Sequence, residues 1–498
     1  MTMTNATKQR EGVLVKPKCR LSEDQIAQID RMSRELLENP GLICYNAQTA
    51  ELLKEAGAEV QEETSEYTRI RIPSSLIDRV VESAPSTVTL GARNPDNRLV
   101  LDAHEPRVRF GSGSETNFWL DLDFENGKPV FTRKPGSIEQ LCRTARLCDR
   151  LENLDFFIRC INIRDRDIDE TNKDVNKFLA SLNNITKHVQ AGLTSLDALE
   201  DVLNIGRIIA GGEDAFRENP VLSFITCVIK SPMQVTDDTA DKLIAIARAG
   251  APVVISSCPM GGATGPFDEF GMVAQINAEL LAGVCINQCA NPGAPVLYGA
   301  VPVRTRLDNL NDMYGAPEFV HYNLDCAQMA RHYGLPCYST AGVADTSEPG
   351  IQATVEKMLT YMTVPQGGAQ YIHYAFGLLE RTNTFSPEQA ILDDAQIGIA
   401  KRALAEPDVS EERYDEVRDT IREVMDSDHK SYVYHLPLPT EEPVYVAYPY
   451  EDGDEGPLKA AQERYREILA EPAEPLPEDI LQRLRDEVPG ILDATLKS

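Results

Sequence analysis

The chain has 498 residues, 42% of them hydrophobic, with 78 acidic against 49 basic side chains and a net charge of −29. A phosphate backbone needs Lys and Arg to neutralise it, so this balance argues against nucleic acid and anionic membranes as partners. The polar start Met1-Thr-Met-Thr-Asn-Ala6, the lack of an apolar run near the ~18 residues a bilayer requires, and 11 cysteines, an odd number, point to a cytoplasmic protein with free buried thiols.

In chain order, Ser22 and Gln25 are placed for a capping box that opens a helix over Glu23–Leu37. Thr49–Ala56 reads helical with Gly57 as its stop, Tyr67–Ile72 alternates as a strand, and Ser74–Ser83 is helical again. Residues 1–102 are therefore expected to form an α+β lead-in.

Over residues 103–405 short β-rich runs alternate with helix-period segments. The runs are Arg107–Phe110, Phe156–Ile161, Lys187–Ala191, Val221–Val228, Pro252–Ser256, Pro295–Tyr298, Pro336–Thr340 and Gln370–Ala375. The helical segments are Ser137–Arg150, Thr171–Asn183, Ser195–Ala210, Thr236–Ala249, Glu269–Ala282, Ala316–Tyr333, Ile351–Thr363 and Pro387–Leu404. Eight such pairs predict an α/β fold, a (β/α)8 TIM barrel, with a hairpin about Asn126-Gly127 inserted after the first strand. The alternative, an open doubly wound sheet, wants a GxGxxG turn that Gly111–Glu115 does not supply.

Residues 406–498 are acidic and rich in Pro and Tyr. An extended arm with short helices near Leu458–Leu469 and Glu478–Glu487 is expected, its tyrosines (Tyr432, Tyr434, Tyr445, Tyr448, Tyr450) docking on the body or on a neighbouring subunit of a homo-oligomer.

A barrel of this kind carries its active site at the C-terminal strand ends. The candidates there are Glu115 or Asp345 as a counter-charge, Tyr298, Tyr338, Tyr371 and Tyr374 as π faces for a cation, and Arg304 with Arg306 for a carboxylate. Alternation in Gln370–Ala375 turns Tyr371 and His373 inward, which makes His373 the polar candidate, whereas His188 reads as structural. No GxSxG nucleophile, acid/base pair, CxxC or HExxH is present, and Cys285 and Cys289 read as core residues, so no metal is expected. Cys258–Pro266, CPMGGATGP, is a glycine loop at a strand end, where Gly261, Gly262 and Gly265 permit close backbone approach.

With this loop come NAELLAG (Asn277–Gly283), NPGAPVLYG (Asn291–Gly299), YGAPE (Tyr314–Glu318), YGLP (Tyr333–Pro336) and AGVADTSEPGIQA (Ala341–Ala353). Their order and spacing resemble the trimethylamine methyltransferase family from about Ser22 to Leu404. The resemblance implies a (β/α)8 barrel that moves a methyl group from an amine to the cobalt of a separate corrinoid protein, the chain itself binding no cofactor directly. The trimethylamine enzyme carries pyrrolysine; this chain has only standard residues and looks like the branch that demethylates quaternary amines such as glycine betaine, proline betaine or carnitine. On that reading Glu115, Tyr298, Arg304, Tyr338 and His373 would hold the donor, and Gly261, Gly262 and Gly342 would admit the corrin. The rival expectations are a zinc-dependent corrinoid methyltransferase for another donor, and a betaine-binding or assembly subunit without turnover.

Overall fold

A computed structural model of the chain describes residues 9–113, 115–407, 409–426 and 455–496. The five arm tyrosines lie outside the described residues. The eight β-rich runs become short parallel strands: β1 Arg107–Phe110, β2 Phe156–Ile158, β3 His188–Gly192, β4 Leu222–Thr226, β5 Val253–Ser257, β6 Val296–Ala300, β7 Cys337–Thr340 and β8 Tyr371–His373. They form a strongly curled, nine-stranded sheet in the order β1-β8-β7-β6-β5-β4-β3-β2, with Val13–Leu14 antiparallel on the outer edge of β1. No ladder joins β1 to β2. Their segments meet through two isolated bridges, Gly111 with Phe156 and, past the strand ends, Thr116 with Ile161, beside a 2.7 Å bond from the Asp155 amide to the Phe110 carbonyl.

The strands are apolar on both faces, as parallel strands covered on both sides must be. Phe156, Ile158, Val254, Leu297, Tyr338 and Tyr371 pack inside the curl, where Val88, Leu90, Leu99 and Leu101 from the ribbon Thr87–Leu90/Leu99–Asp102 join them. The alternate residues, among them Phe157, Val189, Val253, Ile255, Val296, Tyr298 and Ile372, belong to the outer core under the helices.

Those helices are α1 Ile138–Arg150, α2 Lys173–Asn184, α3 Leu199–Ala210, α4 Asp237–Arg248, α5 Glu269–Ala290, α6 Pro317–His332, α7 Ile351–Thr363 and α8 Pro387–Leu404. By length and composition α5 would span a bilayer, which corrects the sequence reading. Its most apolar window is 83% buried in the protein, and Ile276, Leu280, Leu281, Val284 and Ile286 are core residues, each burial worth roughly 1.5–3 kcal/mol. The Ser22/Gln25 capping box forms.

The inserted hairpin pairs Phe118–Glu125 with Lys128–Pro135 about Asn126 (φ 52°) and Gly127 (φ 82°). It is fixed to the segment after β8 by the Phe118–Thr384 register and by Trp119 stacked on Phe385 at 5.8 Å. Beyond α8 come α9 Glu411–Asp426, α10 Glu455–Ala470 and α11 Glu478–Glu487. α10 returns to the hairpin, where Gln462 Nε2 donates to the Leu122 carbonyl at 2.6 Å. α9 falls where an extended arm is expected: Tyr414, Val417, Ile421 and Met425 have helical spacing, but all four are exposed.

Candidate active site

One wall of the site is aromatic. Tyr338 at β7 stacks on His373 at β8 (centroids 4.0 Å, 17°), His373 meets Tyr374 edge-on at 3.7 Å, and Tyr374 faces Tyr314 at 6.5 Å. Tyr374 takes φ 68°, with its ring packed on Gly113, where a Cβ would lie 2.8 Å from it. Tyr314 comes from the long loop after β6 and is held by Asp345, whose carboxylate accepts the Tyr314 amide at 2.9 Å and the Gly315 amide at 3.3 Å.

Cys227 and Cys258, just past β4 and β5, complete this side. Both residues are exposed, so the strand ends open to solvent here as a well. Burial pushes the Cys227 thiol up, and Glu115 adds to the effect, so neither thiol is an ionised nucleophile at neutral pH.

The opposite side is charged. Glu115, in the segment after β1, pairs with Arg159, the first residue past β2; the carboxylate side chain is 50% exposed and the guanidinium 2%. Burial alone would raise the Glu115 carboxyl, but Arg159 first and Lys177 second hold it at about 2. It is therefore ionised at every working pH. The buried Lys177, lowered to about 8 by burial and by Arg159, pairs with Asp174, which accepts the Thr194 and Ser195 amides at 2.9 and 2.8 Å. Arg159 donates Nη1 to the Ile161 carbonyl at 3.1 Å, while its Nε, and Gln190 Oε1 on the neighbouring strand, are buried without partners among the described residues.

His373 is a wall residue, not an acid or base. Its Nδ1 lies 2.7 Å from the Ser339 carbonyl, and burial lowers its pKa to about 3, so the ring is neutral. His188 is structural, as expected, between the Gly91 carbonyl (2.6 Å) and Ser223 Oγ (2.7 Å), and burial lowers it to about 4. The unfolded histidine titrates near 6.5. As pH falls below that value the unfolded chain takes up a proton that the fold refuses, so His188 favours folding less. Raised carboxyls such as Glu388, pushed up to about 7 by burial, act in the opposite sense, so the difference between variants is the readout. The stability lost in His188→Gln is expected to shrink by about 1.4 kcal/mol per pH unit from pH 6.5 to 4. Urea unfolding at pH 7, 6 and 5 measures this, and a pH-independent difference contradicts it.

Several expected site residues lie elsewhere. Tyr298 is fully buried on the outer face of β6 with its hydroxyl donating to Asn277 Oδ1 at 2.9 Å, because strand alternation sends Leu297, not Tyr298, inward. Arg304 is consumed by the protein: it donates to the Phe267 carbonyl at 2.7 Å and lies 3.3 Å over the Phe267 ring. Arg306 pairs with Asp308 at the surface. A Cβ on Gly342 would lie 2.5 Å from the Tyr361 ring, and one on Gly261 2.9 Å from the Tyr322 hydroxyl, so both glycines accommodate the protein's own side chains. Gly262, at φ 99°, sits between Phe267 and Leu307. Tyr371 stacks on Phe156 at 3.6 Å below the wall.

Residues 4–435 match the family model described as trimethylamine methyltransferase (MTTB). The chain belongs to this family. It is a methyltransferase. Among its relatives are trimethylamine methyltransferase MttB of Desulfitobacterium hafniense (strain DSM 10664 / DCB-2), 31% identical over 391 residues, covering 78% of this chain and 76% of the relative. Trimethylamine methyltransferase MttB1 of Methanosarcina mazei is 30% identical over 396 residues (78% and 77%). Glycine betaine methyltransferase of D. hafniense (strain Y51) is 28% identical over 380 residues, 76% of each chain. Membership gives the reaction class, while the methyl donor must be read from the charges and rings of the well.

Proposed function

We propose that this methyltransferase removes one methyl group from a quaternary ammonium donor of the betaine type and passes it to the Co(I) of a separate corrinoid protein. The observation that carries the donor class is the Glu115–Arg159 pair past β1 and β2 together with the aromatic cluster past β7 and β8, Cys227 lying near both. A permanent cation suits the partly exposed ring of Tyr374, backed by the buried rings of Tyr314, Tyr338 and His373, and an always ionised Glu115. The buried Arg159 beside it suits a carboxylate on the same molecule, so a zwitterion aligned against the pair satisfies both charges. A monocation such as protonated trimethylamine is attracted by one and repelled by the other.

The chemistry asks for little proton transfer. The N–CH3 bond breaks with its electron pair staying on nitrogen, which leaves as a neutral tertiary amine. The methyl–cobalt bond forms with the electron pair of Co(I). Neutral His373 and the un-ionised thiols fit this, since no group has to protonate the leaving nitrogen. The curled sheet is read as a (β/α)8 barrel closed at the Gly111–Phe156 bridge, with the well at its mouth.

Isothermal titration with donors that differ in one feature tests the donor class. Glycine betaine is expected to bind at least tenfold more tightly than tetramethylammonium or trimethylamine. Equal or tighter binding of the simple cations would contradict it.

A further inference from the structure

The glycine loop after β5 and the long loop after β6 form a small three-stranded rim, Met260–Gly261 with Val303–Thr305 with Asp312–Met313. On this rim stand three large apolar side chains in water: Phe267 (52% exposed), Leu307 (63%) and Leu310 (60%). They are not scattered singly. A Cβ built on Gly262 would meet Phe267 at 3.0 Å on one side and Leu307 at 3.1 Å on the other, so the two side chains flank one bare backbone position.

The rim is also rigidly built. Arg304 donates to the Phe267 carbonyl and to the Tyr322 hydroxyl (3.2 Å) and lies under the Phe267 ring. Leu310 takes φ 58°, a left-handed conformation unfavourable for leucine, and is held there by its amide on the Arg306 carbonyl at 2.8 Å. Four residues on, the same loop delivers Tyr314 to the wall of the well. Arg306 and Asp308 pair with each other, leaving the face apolar without a net local charge from that pair.

We propose that Phe267, Leu307 and Leu310 form the docking lip for the corrinoid-bearing protein. This rests on the methyl-transfer reading above. A cobalt that accepts a methyl group held in the well must come to bonding distance at its mouth, and the lip is continuous with that mouth through the Asp312–Tyr314 segment. A corrin presents a broad disc whose edge carries methyl groups between its amide side chains, and the docking face around it offers apolar surface that an exposed Phe and two Leu on a fixed platform would desolvate. The glycines of the loop serve this by close packing beneath the lip rather than by touching the corrin.

The test uses the full-length chain with Leu307→Ser and Leu310→Asn together, Asn being tolerant of the left-handed backbone. Two acceptors are compared, the cognate corrinoid protein and free Co(I) cobalamin, after thermal unfolding has shown that the variant is folded. The expected result is a KM for the corrinoid protein at least tenfold higher, with kcat/KM for free cobalamin within about twofold of the parent. An unchanged KM for the corrinoid protein overturns the lip assignment while leaving the methyl-transfer reading intact. Conversion of an oligomeric parent to monomer with that KM unchanged assigns the lip to a contact between copies and overturns it likewise. Failure of the unaltered chain to methylate either acceptor from any donor overturns the reading and the lip together.

Discussion

Replacing Arg159 with Met is expected to lower kcat/KM for a carboxylate-bearing donor by roughly 30- to 1000-fold, about 2–4 kcal/mol, while a donor without a carboxylate loses far less. Arg159 is 2% exposed, it pairs with Glu115, and its Nε has no partner among the described residues. On the proposed reading, removing it deletes the guanidinium that pairs with the donor carboxylate and frees Glu115 to attract a cation more strongly. A merely structural arginine would cost both donors alike. Steady-state kinetics with glycine betaine and tetramethylammonium, with Co(I) cobalamin as acceptor, separates the two cases. Equal losses on both donors contradict the assignment.

The second large effect is on stability. Lys357 of α7 and Asp393 of α8 form an ion pair at 3.0 Å with both side chains fully buried. Lys357 also donates to the Gly342 carbonyl at 2.5 Å, and Asp393 accepts the Gly377 amide at 2.7 Å and Gln389 Nε2 at 2.9 Å. The pair therefore ties the segments leaving β7 and β8, which present the aromatic wall, to the helices behind them. Lys357→Met strands a buried carboxylate and is expected to cost about 3–5 kcal/mol. Lys357→Met with Asp393→Leu removes both charges and is expected to recover part of that loss, because the desolvation of an isolated ion disappears. Urea denaturation of the parent, both single variants and the double variant gives the coupling. A single-variant loss under about 1 kcal/mol contradicts the role of the pair.

The alternation of short apolar runs with helical periods was enough to place the parallel strands and the helices between them, since buried strands and amphipathic helices leave strong periodic signals. The hairpin was legible for a local reason: Asn126-Gly127 suits the positive φ that its turn requires. The site was only partly legible. The structure groups Tyr338, His373 and Tyr374 past β7 and β8 and leaves Glu115 past β1, because residues just past the strand ends, or turned inward by alternation, can be named from the strand positions.

Arg159 was hidden by a strand boundary. The run Phe156–Ile161 reads as one strand, whereas β2 ends at Ile158 and leaves Arg159, buried, to pair with Glu115. Tyr298 failed on parity, being chosen for its place near a strand end although its neighbour Leu297 faces inward. Tyr314 could not be read at all, because it reaches the wall from the far end of a long loop whose path depends on Asp345. The glycines of CPMGGATGP were read correctly as sites of close approach, but what approaches is Tyr322, Met272, Phe267 and Leu307 of the same chain.

Methyl transfer from a betaine-type donor to Co(I) is tested most directly by absorbance spectroscopy. Co(I) cobalamin or the cognate corrinoid protein in its reduced state is mixed with the chain under anaerobic conditions, and donors are added one at a time. Loss of the Co(I) absorbance with growth of methyl-Co(III), driven by a betaine and not by trimethylamine, with one equivalent of tertiary amine released, is the predicted result. Methylation driven by trimethylamine and not by any betaine would contradict it.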